Sequence, residues 1–169
     1  MINVIACGVN PLLILGVHLL EVVEFVSSVI YCYYCPYVIS IYHISMTILV
    51  TGGAGFIGSN FCLDWLATSD EPVVNLDKLS YAGNLENLAS LQGDTRHHFV
   101  HGDIGDADLV SGLLHQHAIR AVVNFAAESH VDRSIHGPQA FIDNNILGSF
   151  RLLEAVKTYW QGLGSTEKT

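Results

Sequence analysis

The sequence predicts an α/β fold, a doubly wound parallel sheet that is incomplete at one flank and preceded by an apolar N-terminal extension. Three observations carry that expectation. The β-branched run Thr47-Ile48-Leu49-Val50 feeds directly into a glycine turn and then into a helical apolar pattern. Three more apolar runs follow at intervals broken by turn and helix signals, and strands alternating with helices imply a parallel sheet. Met1 to Ser45 holds no Lys or Arg and only Glu21 and Glu24 as carboxylates, so residues 1–45 and 46–169 read as separate segments. The whole chain has 169 residues, 50% hydrophobic and 14% charged, with a net charge of -9. That composition suits a globular domain and excludes disorder. Seven Lys and Arg among sixteen carboxylates form no basic stripe, which excludes nucleic acid as a partner held by bulk charge.

In the extension, Pro11 to Leu20 is apolar apart from His18, and Phe25 to Tyr42 is an 18-residue run interrupted only by Ser, Cys, Tyr and one Pro. That length approaches a membrane span. The missing basic n-region and missing flanking Lys or Arg argue against a secretory signal or an oriented span, so no membrane partner is expected, with association through residues 11–42 left open. Cys32 and Cys35 form one Cys-x-x-Cys, but only Cys7 and His43 could supplement it toward four ligands, so no metal is expected. Cys62 sits far away, and four cysteines so placed give no disulfide framework, which fits a reducing, cytoplasmic compartment. A start codon assigned too far upstream would also leave an extension of this kind.

From Met46 the elements follow in order. Thr47 to Val50 is a buried parallel strand, and Gly52, Gly55 and Gly58 recur three apart before Ile57, Phe61, Trp65 and Leu66 fall at helical spacing. The first glycine permits a tight turn, the middle one lets backbone N–H groups approach a diphosphate, and the last lets helix and strand pack closely. A helix N-terminus supplies free donors and partial positive charge, so an acidic protein can hold a diphosphate without a basic patch. Val73 to Asp77 is the second strand. An acid at its carboxyl end accepts from both hydroxyls of an adenosine ribose and repels a 2'-phosphate, which favours NAD over NADP. Lys78 pulls the other way, and Asp77 alone also reads as a turn residue.

His98 to His101 is a third strand leading to Asp103 and Ile104, Asp106 opens a helix through Leu109, Leu113 and Leu114, and Arg120 to Phe125 is a fourth strand. In a sheet of this kind ligands lie beyond the carboxyl ends, where strand order reverses between the first and fourth strands. The glycine loop, Asp77, Asp103 and Phe125 to Ser129 all fall on that edge. Asp103 reads equally as a turn or capping residue, and Ala126 and Ala127 as small packing residues. The last helix runs from Pro138 to about Trp160 with Phe141, Asn145, Gly148 and Leu152 on one stripe. Asn145 on that stripe needs a partner, to order the edge of the sheet or to cap a loop.

Two patterns are set aside. Ser129, His130 and Asp132 are too close in sequence to meet as a nucleophilic triad. His97, His98, His101, His115 and His117 are not brought to one point by strand and helix geometry, so they form no zinc site.

From Met46 to about Leu163 the chain resembles the N-terminal part of dTDP-glucose 4,6-dehydratases, nucleotide-sugar enzymes with a Rossmann-like sheet in the extended short-chain dehydrogenase/reductase superfamily. Thr51 to Gly58 marks the superfamily, whereas Asp77-Lys78-Leu79-Ser80-Tyr81-Ala82-Gly83-Asn84-Leu85 and Ala126-Ala127-Glu128-Ser129-His130-Val131-Asp132-Arg133-Ser134 look like the dehydratase versions. The resemblance implies NAD contacts from Phe56, Ile57, Asp77, Lys78, Leu79 and Ser80. It adds Asp103 and Ile104 after the third strand, and Phe125, Ala126, Ala127, Glu128 and Ser129 after the fourth. Ser129 also faces the nucleotide sugar, with dTDP-glucose as the expected partner. Asn144 stands where a Thr is common in the family, and either side chain can hydrogen-bond the nicotinamide side.

The implied reaction is a lyase reaction: the glucose C4 hydroxyl is oxidised by hydride transfer to NAD, water leaves across C5 and C6, and the hydride returns to C6. Its base belongs to a Tyr-x-x-x-Lys pair. None of Lys78, Lys157 or Lys168 has a Tyr four residues earlier, so the chain is expected to be the cofactor half of an enzyme, inactive alone and with an exposed sheet flank. A homodimer is implied for the full-length enzyme. Another NAD-dependent nucleotide-sugar epimerase or dehydratase, or a non-catalytic NAD-binding module, are the alternatives.

Overall fold

In the computed structural model, which describes residues 3–6, 47–130, 135 and 137–164, four strands pair in parallel. They are β2 (Thr47–Thr51), β3 (Val73–Asp77), β4 (His97–His101) and β5 (Ile119–Asn124). β2 and β3 are buried along their whole length, which is why they read as continuous apolar runs and not as alternating ones. With a further strand, β1 (Asn3–Ala6), at one edge, the sheet order is β1-β5-β2-β3-β4, so from β2 the chain steps outward to β4 and then crosses to the other side of β2. Strand order therefore reverses between β2 and β5, as the sequence predicts.

The strand β1 (Asn3–Ala6) is an addition to that prediction. It runs antiparallel along the outer edge of β5, from Asn3 opposite Asn124 to Ala6 opposite Ala121. The exposed flank anticipated from the sequence is thus covered. A sheet edge is a row of unpaired N–H and C=O groups, and a short segment that satisfies them gives no local sign of its partner. The runs at residues 11–42, the cysteines at 7, 32 and 35, His43, and Val131 to Ser134 lie outside the described residues. Among the described residues, no helix is long and apolar enough to cross a membrane.

Alternating side chains send Ile48, Val50 and Val73 to one face and Leu49, Val74 and Leu76 to the other. On the first face lie α1 (Phe56–Thr68) and a 3-10 helix (Leu85–Leu91), which bury Cys62, Leu66, Leu88 and Leu91. Ile57, expected on the inner stripe of α1, is 58% exposed instead. Small Gly58 and Ser59 face inward and let the first turn settle onto the strand ends. Phe61 fills the next turn, stacked on Trp65 and touching Phe125 at ring separations of 5.6 and 5.4 Å. Burial pushes the Cys62 thiol up to about 12, leaving it an inert packing group.

The second face carries α2 (Ala107–Gln116) and the C-terminal helix, which bury Val110, Leu114, Leu152 and Val156. Asp106 caps α2 by accepting from the Leu109 N–H at 3.0 Å. The single helix expected from Pro138 is continuous but changes pitch: α3 (Pro138–Phe141) passes through a π-helical segment (Ile142–Gly148) into α4 (Ser149–Gly162). Beneath the sheet the Arg120 guanidinium forks onto both oxygens of Glu71, tying the start of β5 to the entry of β3.

Two outcomes follow from this architecture. Replacing Val4 and Ile5 together by Pro removes ladder donors from β1 and reopens the β5 edge; the melting temperature should fall by about 2–4 °C per kcal/mol lost, with increased light scattering. Burial holds the His97 and His117 imidazoles below their ordinary 6.5. The unfolded chain therefore binds more protons in that range, and stability rises with pH. Urea unfolding should show stability complete above about pH 6.5 and declining as pH falls through the lower folded values.

Candidate functional site

The turn after β2 is shaped by what lies against it. Gly52 adopts φ +69°, and a Cβ there would fall 2.6 Å from the Ala126 nitrogen and 2.7 Å from the Phe125 carbonyl carbon. Only a residue without a side chain lets the loop after β2 lie directly on the loop after β5. Gly58 is constrained from the other side, since its Cβ would sit 2.2 Å from the Gly52 oxygen. Side-chain bulk at either position would pry α1 off the strand ends. Beneath the loop the Thr51 hydroxyl donates to the buried Asn124 Oδ1, joining β2 and β5 where strand order reverses.

Asp77 is buried at the end of β3 and clamps this turn. Its Oδ2 accepts from the Ala54 N–H at 2.8 Å and its Oδ1 from the Leu79 N–H at 2.7 Å. The second bond holds Leu79 at φ 53°, a left-handed conformation costly for a branched side chain. A carboxylate oxygen has two acceptor sites, so each oxygen keeps one for another donor. The Ala54 carbonyl is fixed by the Asn84 N–H and the Asn87 Nδ2, both at 3.0 Å. The loop is thus anchored from three sides.

The first turn of α1 is left open. Gly55 offers no side-chain cap and the turn holds no acid, in contrast to the capped starts of α2 and the 3-10 helix. Its N–H groups and the positive end of its dipole are available to an anion. Beside it lies a cleft of about 410 Å³.

Most of the sequence-predicted residues come together there. Gly52, Asp77, Lys78 and Ser80 form one wall, and Asp103 with buried Ile104 another. Ala126, Ala127, Glu128 and Asn144 close the third. Gly55, Phe56, Ile57 and Gly58 stand at the helix end outside this lining, with Phe56 81% exposed. Leu79 and Phe125 turn their side chains into the core under α1. Ser129 is exposed beyond the lining. Leu76 and Gly102 also line the cleft and are absent from the sequence prediction; each immediately precedes or leads to a predicted acid at a strand end.

The polar groups across the cleft form one network. Lys78 Nζ lies 3.4 Å from Asp103 Oδ2 and donates to Asn144 Oδ1. Asn144 Nδ2 donates to Glu128 Oε1 at 3.3 Å. Lys78 therefore turns across the cleft, away from the role opposite Asp77 that the sequence alone left open. Asn145 has the partner its position demands: its Oδ1 accepts from the Glu128 N–H and its Nδ2 donates to the Glu128 carbonyl, each at 2.8 Å. The π-helical segment presents adjacent Asn144 and Asn145 to the same loop.

A helix start without a side-chain cap, following a glycine turn and with a buried acid at the end of the next strand, is the arrangement of a dinucleotide-binding protein of the doubly wound class. The profile of the GDP-mannose 4,6 dehydratase family matches residues 49–168, and the chain belongs to that family. It is 60% identical over 122 residues to the dTDP-glucose 4,6-dehydratase of Xanthomonas campestris pv. campestris strain B100, covering 72% of this chain and 34% of the relative. Identity to the dTDP-glucose 4,6-dehydratase 1 of Escherichia coli K12 is 52% over 123 residues, with 73% and 34% covered.

Among solved structures, the dTDP-glucose 4,6-dehydratase of Streptomyces venezuelae with NAD and TYD bound superposes with a TM-score of 0.64 at 48% identity, covering 68% of this chain and 36% of that one. The UDP-Glc/GlcNAc 4-epimerase of Campylobacter jejuni gives 0.62 at 30% identity, with 68% and 34% covered. The chain spans about a third of the length of these relatives.

Gly58→Ala tests the close approach directly. The new methyl meets backbone, which cannot rotate away, so the substitution should cost about 1–3 kcal/mol in denaturant unfolding.

Proposed function

We propose that the chain is the NAD-binding portion of a nucleotide-sugar 4,6-dehydratase acting on dTDP-glucose. The observation that carries this reading is a cleft at the point of strand reversal, lined by Gly52 and the buried Asp77, with the uncapped start of α1 following directly on the clamped glycine loop. In this role the N–H groups of the first turn of α1 bind the diphosphate, and the free acceptor positions of Asp77 receive the ribose hydroxyls. Asp103 and Ile104 border the adenine, while Ala126 and Ala127 let a flat ring lie against the backbone. Glu128, Ser129 and Asn144 face the nicotinamide and sugar side. With Lys78 engaged by Asp103 and Asn144, no unpaired Lys or Arg among the described residues lines the cleft beside Asp77, which supports NAD over NADP.

When bound, NAD supplies a reversible hydride acceptor for the C4 hydrogen and returns it to C6 after water is lost. The residues present here bind and orient. This sequence contains no Tyr-x-x-x-Lys pair to take the proton of the first step, and none of its residues is assigned that role. The free, buried Cys62 thiol is in keeping with a cytoplasmic setting.

Two copies are expected to associate through the C-terminal helix. Ile146, Phe150 and Leu153 lie on it at spacings of four and three and are 61%, 58% and 48% exposed. An apolar stripe of this kind is favoured against a second copy of itself.

Titration calorimetry of the full chain should detect NAD binding, weaker NADP binding, and a loss for Asp77→Ala on the order of 1–3 kcal/mol, the cost of a removed charge-assisted hydrogen bond. Absence of heat with NAD, or an unchanged affinity in the variant, overturns the reading.

A further inference from the structure

Behind the glycine loop lies a polar pair, buried Asn75 and half-buried His97, that the binding role of the cleft does not use. Asn75 sits in the middle of β3, wholly buried, opposite Val50 on one side and Phe99 on the other. Its Nδ2 is 3.2 Å from His97 Nε2 on the edge strand β4. Its Oδ1 is buried without a hydrogen-bond partner, although such atoms in folded proteins are nearly always satisfied. That oxygen points at the loop: a Cβ on Gly53 would lie 2.1 Å from Asn75 Oδ1 and 2.5 Å from its Cγ. The amide is wedged between the Gly53 backbone and the imidazole.

We infer that His97 is a positioning residue for the glycine loop, and that its protonation, relayed by the Asn75 amide to Gly53, weakens dinucleotide binding. The inference rests on the reading of this loop as the diphosphate cradle. An amide nitrogen only donates, so His97 Nε2 accepts in this arrangement and carries its proton on Nδ1. Protonation makes Nε2 a donor facing a second donor. The amide relieves the clash by turning over, which gives Oδ1 to the imidazolium and brings the NH2 group against Gly53. An oxygen without hydrogens is then replaced at this close contact by a bulkier group with two. The loop backbone has to move, and with it the N–H groups that would receive the anion.

The groups acting on His97 set the direction. Burial opposes its charged form most strongly, and His98 next to it adds to that opposition. Asp94 from the preceding turn favours the charged form, but its carboxylate is shared with Arg96, which holds it down to about 2 through bonds at 2.8 and 3.1 Å. Arg96 is turned further onto Asp70, at 3.7 Å. On the balance His97 is neutral at physiological pH, with the amide in the orientation described, and becomes charged on acidification.

The test is an NMR titration of the full, ligand-free chain, following the Gly53 amide and the His97 ring together, with calorimetry of NAD binding at about pH 8 and about pH 5.5. The Gly53 resonance should inflect with the same midpoint as the His97 ring. NAD affinity should fall on the order of fivefold between the two pH values, and His97→Gln should remove both the inflection and the fall. A Gly53 amide that ignores the His97 titration overturns the inference whether or not NAD binds, and so do parallel pH profiles for the native chain and the variant. Failure of the cofactor reading looks different: no NAD binding at the higher pH in a chain whose Gly53 still follows His97. The native titration decides the matter even if the variant does not fold.

Discussion

The carboxylate of Asp77 holds the two halves of the site in register. It accepts one N–H from the glycine loop after β2 and one from the loop after its own strand, so two neighbouring strand ends are joined through a single buried anion. Remove it, and the Ala54 N–H is stranded in a desolvated turn while Leu79 loses the bond that holds its left-handed backbone. The same group keeps an acceptor position on each oxygen. The structural duty and the proposed binding duty therefore fall on one side chain.

Around that clamp the site is built almost entirely from backbone and small side chains. Gly52 against Ala126, Gly58 against Gly52, and the Thr51 to Asn124 bond bring the ends of β2 and β5 together at the point where the chain reverses direction across the sheet. An acidic protein can hold a diphosphate in this way because the attraction comes from N–H groups and a helix dipole, not from Lys or Arg. The cleft's one lysine is engaged with Asp103 and Asn144.

Much of this was legible in the residue order. Four strands, their parallel pairing and the reversal point follow from apolar runs punctuated by glycine, and the positions at strand ends pick out Asp77, Asp103 and Ala126 without knowledge of contacts. The strand Asn3–Ala6 was not legible, because four residues pairing with the far end of the chain leave no local pattern. Neither was the direction of Lys78, a side chain flexible enough to serve either neighbour until Asn144 is placed opposite. The exposure of Ile57 escaped a periodicity argument because the inward face of α1 is made of Gly58 and Ser59, which apolar spacing does not mark. The Asn75 to His97 contact joins adjacent strands whose register only the sheet defines.

The change of pitch at Ile142–Gly148 has a consequence for how this chain can vary. An i→i+5 turn holds one residue more than an i→i+4 turn, so loss of one residue from the widened segment would restore ordinary pitch and leave α4 in the same rotational phase. Leu152, Val156 and Tyr159 would keep their places in the core, while Asn144 and Asn145 lost their shared aim at the Glu128 loop. The extra residue therefore serves the placement of two amides and not the packing of the helix beyond it, so a one-residue deletion here should spare the core while removing the bonds of Asn144 and Asn145.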